Sequence, residues 1–156
     1  MKPSEKLKQI KKQVEATLGD NKDFDFLLTE IPMIIEKRTR LGKGVSEGGD
    51  LGNLKPLSEK YVKYRKGKVS GLTSPKKSNL TFTGQMLSSI KGIRNGSLFT
   101  FFFGGSRDDG LNNSDIARYN REKGRPFFDL SKSERNGLQR KISKIIKESI
   151  KKLFDK

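Results

Sequence analysis

The chain has 156 residues, with 34 Lys and Arg against 18 Asp and Glu, and neither His nor Cys. Its formal net charge of +16 favours nucleic acid, anionic lipid or an acidic protein as partner. The missing His and Cys exclude disulfides, Ser-His-Asp triads, thiol nucleophiles and zinc sites of the usual kind. The length suits one domain able to build a core without metal or disulfide. A hydrophobic share of 31% is low for such a domain, so the chain either has a modest core with mobile loops or completes its core between subunits. No apolar run approaches the roughly 18 residues of a membrane span, and the first residues lack a signal-peptide apolar region. The expectation is a protein without a membrane partner, acting in a cytoplasm or in a particle assembled there.

Residues 4–18 read as a helix. Pro3 suits its start, Leu7, Ile10, Val14 and Leu18 form a narrow apolar stripe, and Gly19 is a plausible stop. A second helix is expected over 26–41, with Leu27, Leu28, Ile31, Ile34 and Ile35 as a broader buried face. Pro32 lacks a backbone donor, which favours a start near Thr29 or a kink at that point. Residues 42–55 hold five glycines and read as a long connector, functional or flexible, without the Gly-Lys-Ser/Thr of a phosphate loop. Ser58 caps a short helix over 58–65. The basic Gly/Ser/Pro loop after it places Lys63, Arg65, Lys66, Lys68, Lys76 and Lys77 in one patch. That patch is either a DNA-facing electrostatic surface or a solvated loop.

The centre of the chain is 79–104. Thr83 is read as the cap of a short helical turn leading into a hairpin. The Asn95-Gly96 pair suits a type I′ turn between strands at 89–94 and Leu98–Phe103. The second strand is apolar on both sides: Phe99, Phe101 and Phe103 point one way, Leu98, Thr100 and Phe102 the other. Helices of the same chain can cover one side; a second copy is the expected cover for the other. Phe99, Phe101, Phe103, Phe127 and Phe128 are the candidate subunit or partner interface, with ordinary core as the alternative reading of each.

A Gly/Asp/Asn-rich loop over 104–114 precedes a helix capped by Ser114 or Asp115 and stopped by Gly124, and residues 125–130 are extended. Ser131 and Glu134 match a capping box. Leu138, Ile142, Ile145, Ile146, Ile150, Leu153 and Phe154 then make a sustained helical stripe, expected to pack on the sheet. The far side carries Arg140, Lys141, Lys144, Lys147, Lys151 and Lys152, as a solvent face or as part of an electropositive channel wall. Carboxylates are scattered. Asp108-Asp109 is a pair without a partner nearby in sequence, whereas a metal-dependent nuclease needs its carboxylates clustered. No enzymatic activity, cofactor or metal is expected, and a small nuclease is the weakest alternative.

Three segments, in order, carry a resemblance. They are Pro56-Leu57-Ser58 before a basic helix; Leu80-Thr81-Phe82-Thr83-Gly84-Gln85-Met86-Leu87-Ser88-Ser89-Ile90; and Ile116-Ala117-Arg118-Tyr119-Asn120 leading to Gly124-Arg125-Pro126-Phe127-Phe128-Asp129-Leu130-Ser131. The pattern resembles the tailed-bacteriophage virion morphogenesis proteins, also called tail-completion or head–tail joining proteins. It covers 29–154 and departs from the family at 120–123, where an aromatic residue or His is common. The resemblance implies a small α+β fold, an antiparallel sheet packed by a long N-terminal helix and a C-terminal helix. Residues 21–156 would form that domain, and 1–20 a helical extension. It further implies a ring of identical subunits, six- or twelve-fold, at the neck of the virion. A head adaptor or portal-side protein would sit on one side and a tail tube or tail terminator on the other, with genomic DNA passing through the lumen. Assembly would take place in the host cytoplasm. Loops 42–55, 65–79 and 104–114 are the docking candidates. A stand-alone basic nucleic-acid-binding protein is the rival reading, carried by the +16 charge.

Overall fold

The computed structural model describes residues 21–66, 76–78, 80 and 84–154, and before them Lys8, Lys11, Lys12, Ala16 and Gly19. A 3-10 turn, Lys22–Phe24, leads into α1, Phe26–Arg40. A first hairpin follows, β1 Lys43–Val45 and β2 Leu51–Asn53, then α2 Glu59–Lys66 and the single turn α3 Gln85–Ser88. The second hairpin is β3 Ile90–Asn95 and β4 Leu98–Phe103; α4 Asn113–Glu122 and α5 Lys132–Phe154 end the chain. The described residues therefore form an α+β fold with two separate two-stranded antiparallel sheets.

The element at the middle is α1, because its apolar residues occupy two adjacent sides of the helix. On one side Ile35 joins Leu54, Met86, Leu87, Ile90, Ala117 and Phe127 in a core beneath the β3–β4 hairpin. On the other, Leu27 packs with Phe24 and Leu138, flanked by Ile142, Ile145 and Ile146 of α5. Three cross-links fix the relative direction of the two helices: Arg38 meets Glu134, Glu30 meets Lys141, and Asn21 bonds Ser149. The paired numbers fall on one helix as they rise on the other, so α5 runs antiparallel to α1. The expected docking of α5 on the sheet is thus corrected. Its stripe lies on α1 and the 3-10 turn, and Phe99 of β4 reaches that seam. Pro32 sits inside α1, which starts at Phe26 rather than near Thr29.

The β3–β4 register pairs Ile90 with Phe103, Gly92 with Phe101, and Asn95 with Leu98. The two-residue loop is therefore Gly96-Ser97, one step later than the Asn95-Gly96 expected, and Gly96 supplies the positive φ of 57°. Gly92 lies beneath the Phe101 ring, where a Cβ would come within 2.8 Å of it. Phe99, Phe101 and Phe103 are half-buried toward α1, while Leu98, Thr100 and Phe102 are exposed.

The region 42–55 is a packed hairpin, not a free connector. Gly44 faces Gly52 across it. Val45 donates to the Pro126 carbonyl at 3.0 Å, and Val45 and Leu54 are buried. Gly44 allows this: a Cβ there would stand 2.3 Å from the Pro126 oxygen. The glycines that suggest a loose loop are there for close approach. The loop 104–114 is likewise structured, closed by a Ser106–Asn112 bridge and by buried Asn113 donating to the Gly104 and Gly105 carbonyls.

The caps divide. Ser58 accepts from the Tyr61 amide, as expected. The Ser131–Glu134 box is reciprocal, with Ser131 N donating to Glu134 Oε2 at 2.7 Å and Glu134 N to Ser131 Oγ at 3.3 Å. The cap of α4 is Asn112, not Ser114 or Asp115, and that of α3 is Gly84 with φ 78°. Thr83 lies outside the described residues, as does the apolar stripe of 4–18. Lys8, Lys11, Lys12, Ala16 and Gly19 are helical, and Asn21 is extended.

Candidate functional site

The outer side of the β3–β4 hairpin turns three large apolar side chains away from the core. Strand pairing sets Lys91 beside Phe102, Ile93 beside Thr100 and Asn95 beside Leu98, and all six side chains are exposed. Ile93 is 56% exposed, Leu98 64% and Phe102 40%, so a strip of three large apolar side chains, each paired across the ladder with Thr100, Asn95 or Lys91, stands in water. Among the described residues neither outer edge of the hairpin makes a backbone hydrogen bond to another element, so both strands present unpaired amides and carbonyls.

Three of the interface residues named from sequence lie on the other side of β4. Phe99, Phe101 and Phe103 have the opposite parity and serve the chain's own core. Phe99 joins the α1–α5 seam, and Phe103 packs on Phe127 at 5.8 Å between ring centres and on Phe128 at 4.5 Å. Phe127 is 2% exposed, and its carbonyl accepts from the buried Arg38, which makes it an anchor of the fold. Phe128 is the most exposed of the five, at 37%. β3 gives only a mixed signal of parity: Lys91 and Asn95 mark the outer side, but Ile93 shares it and Arg94 faces inward.

Arg94, which sequence reading passed over, fixes the start of the described domain to this hairpin. Its guanidinium donates to the Gly19 and Asn21 carbonyls and pairs with Asp25 at 2.6 Å, lying over the Phe99 ring. The extension thus ends against the inner side of the hairpin and leaves the outer strip uncovered by these contacts.

The predicted DNA-facing cations separate into two kinds. Lys63 and Lys66 of α2 come together with Lys76 around a shallow groove of about 340 Å³ floored by Leu57 and Val62. Lys77 is exposed nearby, and Lys68 lies outside the described residues. Arg65 does not belong to this set. It is 2% exposed and donates to the Lys77 carbonyl at 2.9 Å, so it ties α2 to the segment at 76–78. Burial pushes its pKa below the ordinary guanidinium value, against a smaller raising effect of Tyr61. Arg38 is lowered by burial in the same way, opposed by Glu134 and Asp129.

The acidic pair is structural. Asp109 pairs with Arg107 at 2.8 Å, and Asp108 accepts from Gln85. Among the described residues no group of three or more acidic side chains converges as a metal site would require. No family model, curated protein or solved structure matches the chain.

Proposed function

We propose that this chain is a structural virion protein of a tailed bacteriophage. It forms a ring of identical subunits in the neck that joins the DNA-filled head to the tail. The observation that carries the reading is the uncovered strip of Ile93, Leu98 and Phe102 beside two open strand edges. A monomer leaves that surface exposed to water and to strand addition; a neighbouring copy covers it and pairs the edge. A closed ring needs a heterologous contact, in which one surface meets a different one. The hairpin offers this directly, since the β3 edge of one subunit and the β4 edge of the next are different surfaces. The resemblance of 29–154 to tail-completion proteins supplies the location and the partners: a head adaptor or portal-side protein, a tail tube or terminator, and DNA in the lumen. No catalytic step belongs to this role.

The rival, a stand-alone nucleic-acid-binding protein, is favoured by the groove that gathers Lys63, Lys66 and Lys76. Negative-stain views of the assembled connector, looking down its axis, separate the two. The neck reading predicts a closed ring with a central hole built from this chain. A monomer with tight, steeply salt-dependent affinity for free duplex contradicts it and supports the rival.

A further inference from the structure

The outer side of α5 carries a line of cations that the packing of the domain leaves unused. Arg140, Lys144, Lys147 and Lys151 follow one another at spacings of four, three and four residues. At 100° per residue they fall within a sector of roughly 60°, and at 1.5 Å per residue they span about 16 Å. The opposite side of the same helix holds Leu138, Ile142 and Ile145 against α1, so the line points away from the domain on a helix that cannot roll.

Of the other cations of α5, Lys152 lies off this line and three are engaged. Lys132 pairs with Asp50, Arg135 with Asp129 and Lys141 with Glu30. Arg140, Lys144, Lys147 and Lys151 are exposed and make no ion pair among the described residues. Asn136, Gln139 and Ser143 lie beside Arg140, Lys144 and Lys147 along a shallow groove of about 660 Å³ and add neutral hydrogen-bonding groups; Glu148, at the rim of the line, is the one carboxylate of that groove and leaves the cations in excess.

From this placement we infer that the outer side of α5 is a seat for the phosphate backbone of duplex DNA, contacted without sequence readout. The inference rests on the neck reading and deepens it by naming the surface turned toward the DNA. The chemistry selects this occupant. A lipid surface needs the apolar side of an amphipathic helix, and here that side is buried on α1. A protein partner needs an apolar or aromatic anchor, and the sector between Arg140 and Lys151 contains none. Evenly spaced cations with polar neighbours on a rigid rod match a line of phosphates, which they position without reading bases. The ladder shares no residue with the hairpin strip, so self-association and DNA contact do not compete.

The test is a fluorescence-anisotropy titration of the full chain with a duplex of arbitrary sequence about thirty base pairs long, at salt from about 50 to about 200 mM. Four phosphate contacts predict a log–log salt slope steeper by roughly 3 to 4 units, on the order of a hundredfold in affinity across that range. The combined substitution Arg140→Gln, Lys144→Gln, Lys147→Gln and Lys151→Gln is expected to remove that share of the slope. The combination Lys63→Gln, Lys66→Gln and Lys76→Gln is expected to leave most of it. Unchanged circular dichroism and urea midpoint establish that the α5 variant folds. An unchanged slope in a folded α5 variant overturns the inference, as does binding of polyglutamate but not duplex through the same four residues. Light scattering on the same samples reads the ring separately: a monomer whose slope still depends on α5 sinks the neck reading and leaves the seat standing.

Discussion

Arg38 and Glu134 meet at 2.6 Å with the guanidinium 6% exposed, and this pair closes the domain. Arg38 also donates to the Phe127 and Asp129 carbonyls, and Glu134 takes the Ser131 amide of the capping box. One buried arginine therefore binds the end of α1, the extended 125–130 segment and the first turn of α5. Removing one partner of such a buried pair costs about 3–5 kcal/mol, because the other charge is left without compensation. Arg38→Met is expected to lower the unfolding free energy from urea titration by that amount, and Ser131→Ala, which removes only the cap oxygen, by about 1 kcal/mol. Equal, small effects of the two substitutions would show that Arg38 is not the tie described.

Gly44 and Gly52 face each other in the first hairpin yet have opposite requirements. A Cβ at Gly44 would meet the Pro126 oxygen at 2.3 Å and Leu54 Cδ2 at 2.7 Å, while one at Gly52 meets nothing within 4 Å. Gly44→Ala is expected to destabilise by about 1–3 kcal/mol or more through overpacking against backbone. Gly52→Ala is expected to be neutral within about 0.5 kcal/mol. Thermal unfolding of the two variants, side by side, decides this.

Much of this fold was legible because some residues carry local instructions that packing does not alter. The Ser131–Glu134 box, the Ser58 cap and the apolar stripe of α5 depend on near neighbours; the two caps hold, and so does the stripe over Leu138, Ile142, Ile145 and Ile146. Gly44 was misread because its reason lies at Pro126, some eighty residues away, and a glycine for close approach looks like a glycine for flexibility. The turn was misplaced by one residue because Asn95-Gly96 and Gly96-Ser97 both offer a positive φ. The pairing of Asn95 with Leu98 decides between them. The inward turn of three of the named phenylalanines has a related reason. Phe99, Phe101 and Phe103 are the oilier side of β4, and the oilier side goes to the chain's own core first.

Arg65 gives a charge prediction opposite to its sequence reading. Because it is buried and holds the Lys77 carbonyl, Arg65→Gln is expected to loosen α2 and raise amide exchange across Glu59–Lys66. The salt slope of any DNA binding should stay where it was. A shallower slope with unchanged exchange would return Arg65 to the phosphate-facing set.

The two sides of β4 predict two phenotypes. Phe103→Ala removes a ring packed on Phe127 and Phe128 and is expected to cost about 3 kcal/mol of stability. Phe102→Ser, on the outer side, is expected to change stability by less than about 0.5 kcal/mol. Urea titrations of both variants at a concentration low enough to keep the chain monomeric make the comparison clean.

The most direct measurement of the central claim is the mass of the full chain by size-exclusion chromatography with multi-angle light scattering, wild type against Leu98→Ser with Phe102→Ser. The account predicts a closed oligomer for the wild type that falls to monomer in the variant, with the urea midpoint of the monomer unmoved. A wild-type chain that stays monomeric at every concentration up to that of the assembled connector, or an oligomer indifferent to both substitutions, contradicts it.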